Sequence, residues 1–182
     1  MVVFGALILG CLLGWACGGS LLRLGSFRLK YEKTVLVLFV IQAVARGRIG
    51  GAAMPGATWI WAIASMGLVV VLAFDYGKPG MTVAAFGVLL NLDATLVNSG
   101  MPVESLGRGT TAAVAASGGQ YVLTGAHTVG SWLGDVLLLT IGQTSLLLSV
   151  GDVLLLASVA SVLVFGMTQI EPSGSTAFPN EH

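Results

Sequence analysis

Residues 152–169 read DVLLLASVASVLVFGMTQ, an unbroken apolar run that opens on one carboxylate, Asp152, and carries no other charge. As a helix rising ~1.5 Å per residue, it covers most of a ~30 Å hydrocarbon core. Four further stretches share this character, at roughly 2–22, 34–50, 57–76 and 80–98. The composition agrees. Of the 182 residues, 55% are apolar and 9% charged, with a mean hydropathy of +0.93, whereas an ordinary soluble domain carries about 25% charged residues. A water-soluble fold of this length could not hide so much apolar surface, and lipid makes the hiding unnecessary. The expected fold class is all-α: a polytopic membrane helix bundle of about five transmembrane helices plus a short interfacial or re-entrant helical segment.

The expected organisation is a single transmembrane helical domain over 1–169, with an irregular segment at 99–151, then a disordered polar tail at 170–182. Between the third and fourth stretches, Gly77-Lys78-Pro79-Gly80 predicts a tight turn and an antiparallel helix pair. The first stretch has no Lys or Arg before Arg23, so it is expected to be a retained helix, since a secretory signal needs a positive n-region. Arg23, Arg28, Lys30 and Lys33 form the densest basic cluster. Placed in the cytoplasm, this cluster puts the N-terminus outside, Lys78 inside, and 99–151 outside with Arg46, Arg48 and Arg108; five spans then leave the tail cytoplasmic. The expected location is the inner (cytoplasmic) membrane. Within 99–151, the apolar run 136–141 is too short to cross and is interrupted by Gly142-Gln143-Thr144-Ser145. It is expected to form an interfacial or re-entrant helix.

The sharpest internal signal is a repeated hexapeptide, Gly-Asp-Val-Leu-Leu-Leu, at 134–139 and again at 151–156. Asp135 and Asp152 each follow a Gly and precede an apolar run, the position of a helix cap. One reading makes them two caps starting two helices. The other brings two carboxylates together to hold a cation or a polar headgroup. Asn91, Asp93, Thr95 and Asn98 sit in the fourth stretch. At ~100° per residue, Asn91, Thr95 and Asn98 share one face while Asp93 points away. An intramembrane carboxylate costs roughly 2.5–3.5 kcal/mol at a helix centre, so Asp93 is either a site residue or one that needs an interhelical partner.

Weaker signals have mostly structural readings. His127 lies in the outer segment. Asp75 and Lys78 have the placing of an interfacial ion pair, and Glu104 and Arg108 the spacing of a helical surface pair. Gln42 and Ser65 suit an interhelical hydrogen bond. Gly10, Gly14 and Gly18 make a small-residue stripe that serves close packing, either within the chain or by self-association. Cys11 and Cys17 are not at zinc-ligand spacing and read as small apolar residues. The net charge is zero, and with no basic stripe to neutralise phosphates, nucleic acid is not an expected partner. No Gly-x-Ser-x-Gly, His-Glu-x-x-His, phosphate-binding loop or Cys-x-x-Cys occurs. His182, the other histidine, closes the tail. Catalysis is therefore not expected, nor a cofactor or metal. A transporter is a further alternative, although five spans with an unpaired hairpin show no inverted repeat.

At Asn98-Ser-Gly-Met-Pro-Val103, Leu133-Gly-Asp-Val136 and Ser149-Val-Gly-Asp-Val153, the chain resembles a bacterial multi-pass membrane family catalogued as domain of unknown function 5317. The order of these elements matches, following an Arg-rich loop, and the resemblance covers about 2–168. In that family the first Gly-Asp-Val element is usually followed by Ile-Pro-Leu-Pro; here Leu137-Leu138-Leu139-Thr140 replaces it. The resemblance implies a multi-pass topology and brings no activity. The functional expectation is an outward-facing polar site built from Asn98, Met101, Asp135 and Asp152, with Asp93 and His127 as lesser members. It would bind a cation, a lipid headgroup or a small polar ligand. The alternative is a structural accessory or assembly subunit of a larger membrane complex. Membrane lipids are the expected partners, with a membrane-protein partner left open.

Overall fold

The computed structural model of the chain describes residues 2–46, 48–49, 52–54, 56–141 and 144–169. Five longer helices carry the fold: α1 (Val2–Ala16), α2 (Glu32–Arg46), α3 (Ala57–Ala73), α4 (Met81–Val97) and α6 (Val150–Thr168), with the short α5 (Arg108–Ala115) between the last two. In space the longer ones neighbour each other in the order α2, α3, α4, α6, α1. Glu32 in the first turn of α2 and Arg46 in its last complement the helix dipole. The α3–α4 turn closes on Gly80, whose φ of 81° only glycine adopts without strain, and the two helices pack as the turn residues predict. Gln42 of α2 donates to Ser65 Oγ of α3 at 2.8 Å, the expected interhelical bond. Gly10 and Gly14 face Leu163 and Met167 of α6, so this part of the glycine stripe serves packing within the chain.

The core is a seam rather than a shell. Leu68, Leu72, Met81, Ala84 and Val88 meet between α3 and α4, with Leu155 and Val162 of α6 packed against them. Large side chains elsewhere point outward: Trp15 is 74% exposed, Ile63 71% and Leu36 65%. Monomeric soluble proteins rarely leave wide contiguous apolar surface uncovered.

The expectation of five transmembrane helices is corrected by helix length. Among the described residues only α6, with 19 residues, is long and apolar enough to cross a membrane. By contrast α1 and α2 have 15 residues each, and α3 and α4 have 17 each, short of the ~20 residues a full crossing takes. The shortening has local causes. Gly18, with φ 76°, turns the chain out of α1, and α2 stops at Arg46, leaving Arg48–Ile49 to pair with Ala52–Ala53 as strands β1 and β2.

The all-α expectation is corrected as well, because strand appears in the 99–151 segment. Met101–Val103 (β3) runs parallel to Tyr121–Leu123 (β4), joined through α5. The apolar run expected to be an interfacial or re-entrant helix is a strand: Leu137–Ile141 (β5) pairs antiparallel with Thr144–Leu148 (β6). Residues 142–143 between them, and the tail 170–182, lie outside the described residues.

The two ends of the bundle differ in character. α2 begins beside the basic 23–33 segment and ends at Arg46; α6 begins at Val150, with Asp152 in its first turn, and ends where Met167 C=O accepts from Ser20 N–H. At the basic end, Asp75 is buried, receives the Lys30 N–H at 3.0 Å, and pairs with Lys78 Nζ at 2.6 Å, as the spacing suggests. Glu104 and Arg108 do not share a helix, since α5 starts at Arg108; the Glu104 carboxylate accepts instead from Thr124 at 3.1 Å.

Candidate functional site

The opposite end of the bundle gathers the polar residues. On α4, Asn91 and Thr95 are buried and Asn98 half-buried, while Asp93 points out, as the helical spacing requires. Gly151 presses the start of α6 onto this face. A Cβ there would lie 2.5 Å from Gly87 C=O and also run into the Asn91 side chain, so only glycine permits the crossing. Ser149 caps α6 as half of a capping box: Asp152 N–H donates to Ser149 Oγ at 2.9 Å, and Ser149 N–H donates to Asp152 Oδ2 at 3.2 Å. Asn91 ties the box to α4. Its Nδ2 donates to Asp152 Oδ1 at 2.9 Å, and its Oδ1 accepts from Ser149 Oγ at 2.7 Å. Each oxygen of Asp152 has a partner.

The first Gly-Asp is positioned by a strand instead. Asp135 N–H donates to Pro102 C=O at 2.7 Å and Asp135 C=O accepts from Glu104 N–H at 3.1 Å, a parallel bridge beside β3. Gly134 is what lets the chains meet, because a Cβ would sit 2.7 Å from Pro102 Cβ. In both copies of the hexapeptide the glycine allows a close backbone approach and the following aspartate is aimed by it. The expectation that both aspartates cap helices is corrected: Asp152 is the third residue of a helix capped by Ser149, and Asp135 caps none. The residue three before Asp135 is Trp132, which has no oxygen to cap with.

Asp135 opens onto a cleft of about 290 Å³ lined by Arg46, Val103, Thr110, Ser117, Gln120 and Tyr121, among others. Arg46 lies across it. Its guanidinium is 4.6 Å from the Trp61 ring and 5.9 Å from the Tyr121 ring, a cation–π placement that holds the charge at the rim. Gln120 donates to Ala45 C=O at 3.0 Å, fastening the segment before β4 to the end of α2. Among the described residues the Asp135 carboxylate has neither a hydrogen bond nor an ion pair, although Arg46 and Asp152 act on it electrostatically. Burial pushes its pKa up to about 7, the negative Asp152 adds to the rise, and Arg46 opposes it.

The other candidates from the sequence stand apart. Asn98 is a clamp: its side chain donates to Val129 C=O at 3.0 Å and accepts from Val129 N–H at 2.9 Å, pinning the 125–130 loop to the end of α4. Met101 is buried against Ala94 and Leu133. Asp93 and His127 are exposed, and neither lines the cleft. Sequence reasoning left Arg46, Ser149 and Tyr121 out of the site. Ser149 was findable, since Ser-x-x-Asp before an apolar run is a capping-box signature. Arg46 and Tyr121 reach the cleft only through tertiary packing. The described residues contain no group of three His, Cys, Asp or Glu suited to a metal ion.

Comparison with known proteins returns one family, described as "Family of unknown function (DUF5317)", matched over residues 26–164. No curated protein and no solved structure matches the chain. The match leaves out α1, which the sequence resemblance had included, and takes in Arg46, Asn91, Asp135, Ser149 and Asp152. With more than half its length inside that match, the chain belongs to the DUF5317 family.

Proposed function

We propose that the protein is an integral membrane protein that binds a small polar ligand between Arg46 and Asp135, at the outer end of its helical bundle. The observation that carries this reading is the open pair of charges: a cation and a half-buried carboxylate face one cleft without closing on each other. A largely buried carboxylate without a partner is costly to ionise, which is why burial raises its pKa, and most proteins instead close a salt bridge or bury something else. Leaving it in an accessible cleft is what a binding site requires.

Lipid solvation is supported by α6, whose apolar window is 22% buried, and by the outward Trp15, Leu36 and Ile63. Placing the basic 23–33 segment in the cytoplasm puts the cleft outside, because α6, the helix long enough to cross, starts beside the Asn91–Ser149–Asp152 network and ends against Ser20, next to that segment. An open-edged hairpin such as β5–β6 is costly in hydrocarbon, which supports a cleft at headgroup level or above.

A structural role remains the reading for Asp152, whose oxygens are spent on Asn91 and Ser149. The test is a thermal-shift panel on the full chain in detergent with magnesium, inorganic phosphate, ethanolamine, phosphoethanolamine and short-chain phospholipids. At least one probe should raise the wild-type Tm saturably and leave Asp135→Asn unmoved. A panel in which no probe separates the two proteins refutes the reading.

A further inference from the structure

Resting on the binding reading above, we infer that the cleft takes a zwitterion: a primary ammonium beside the Asp135 carboxylate and a phosphate-type anion against the Arg46 guanidinium, the chemistry of phosphoethanolamine. The two charged walls are of opposite sign and no bond joins them. A simple anion at Arg46 would face the negative charges of Asp135 and Asp152. A simple cation at Asp135 would face Arg46, and would find Asp152 already satisfied by Asn91 and Ser149. A ligand carrying both charges meets each wall with its opposite.

Size and wall chemistry agree. At about 290 Å³ the cleft sits at the small end of the roughly 300–1,000 Å³ typical of small-molecule sites, which suits a headgroup-sized ligand. Arginine presents a planar fork that matches phosphate oxygens two at a time. Cation–π contact with Trp61 and Tyr121 holds the Arg46 charge in place before a ligand arrives. On the other wall, a primary ammonium can donate to Asp135, a carboxylate with no hydrogen bond or ion pair among the described residues. A quaternary ammonium has no N–H and cannot.

Two sources carry this chemistry: the headgroup of a phosphatidylethanolamine, and free phosphoethanolamine. Binding of the purified full chain in detergent separates them, with dihexanoyl phosphatidylethanolamine and phosphoethanolamine as the positive probes. Ethanolamine, inorganic phosphate, phosphocholine and dihexanoyl phosphatidylglycerol are the comparators. We expect a positive probe to bind at least tenfold more tightly than every comparator. Preference for the lipid form assigns the headgroup, and equal binding of the free form assigns the solute; both support the zwitterion.

Asp135→Asn should weaken the positive probe at least tenfold. Arg46→Gln should do the same, with Arg46→Lys intermediate, since lysine keeps the charge and loses the fork. If the Arg46 variants do not fold, the wild-type comparison of phosphoethanolamine with phosphocholine still decides. Inorganic phosphate or phosphatidylglycerol binding as well as the positive probes makes this an anion site and overturns the inference. Ethanolamine binding as well makes it a cation site and also overturns it. Either result leaves a polar binding site standing; no binding by any of these probes overturns the zwitterion, and the absence of a magnesium effect as well removes the binding site.

Discussion

The Asp135 carboxyl makes a prediction with a defined sign. Its pKa stands at about 7 against an ordinary 3.8, so the folded protein holds that proton more tightly than the unfolded chain does. The protonated group therefore contributes stability that is complete below about pH 4 and is lost as pH rises through 7. At about 1.4 kcal/mol per pH unit, the full contribution is on the order of 4 kcal/mol, and the part lost between about pH 5 and 8 is on the order of 3 kcal/mol. For a chain of this size that corresponds to a fall in Tm of roughly 5–10 °C. Asparagine has nearly the shape of the protonated acid and never ionises. Asp135→Asn should therefore flatten the profile and leave the variant more stable than wild type at pH 8. The assay is thermal unfolding of both proteins in the same detergent, in half-unit steps across this range. Parallel profiles for wild type and variant would refute the reasoning, because the desolvation and Asp152 repulsion assigned to Asp135 would then have no thermodynamic consequence.

The neighbours of Asp135 should move its titration in opposite directions. By NMR or infrared titration, Arg46→Gln is expected to raise the Asp135 midpoint, since Arg46 opposes the rise, and Asp152→Asn to lower it; no movement in either variant contradicts the assigned causes. Gly134→Ala should cost about 1–3 kcal/mol, the scale of the two backbone bonds that hold Asp135 to β3, by denaturant unfolding. A neutral result would mean the bridge is not formed. Ser149→Ala removes the α6 cap and the bond to Asn91 and is expected to cost about 1–2 kcal/mol while leaving the Asp135 midpoint in place.

What the sequence discloses here is local, and what it conceals is pairing over distance. The Gly77–Gly80 turn, the Gln42–Ser65 bond and the opposed faces of α4 follow from residue types and helical periodicity. The two copies of Gly-Asp-Val-Leu-Leu-Leu show where that stops, because the first turns through a bridge at Asp135 into strand at 137–139, whereas the second is helix throughout 151–156. Identical residues cannot carry the difference. It comes from Ser149, a cap the first copy lacks, and from β3, a strand edge 32 positions before Asp135 that captures the first copy alone. Span length misled for a related reason. Apolar residues continue past the ends of α1 and α2, but a left-handed glycine follows the first helix and the β1–β2 pairing follows the second. The cleft joins the end of α2, the bridge residue Asp135 and the start of β4 with the segment before it, so Arg46 and Tyr121 carried no local mark of their role.

The claim beneath all of this is that Arg46 and Asp135 face each other across an open, occupiable cleft. The most direct measurement is an experimental structure of the full chain in a lipid nanodisc containing phosphatidylethanolamine. Non-protein density touching both the Arg46 guanidinium and the Asp135 carboxylate is the predicted result. A direct Arg46–Asp135 salt bridge that closes the cleft would contradict it.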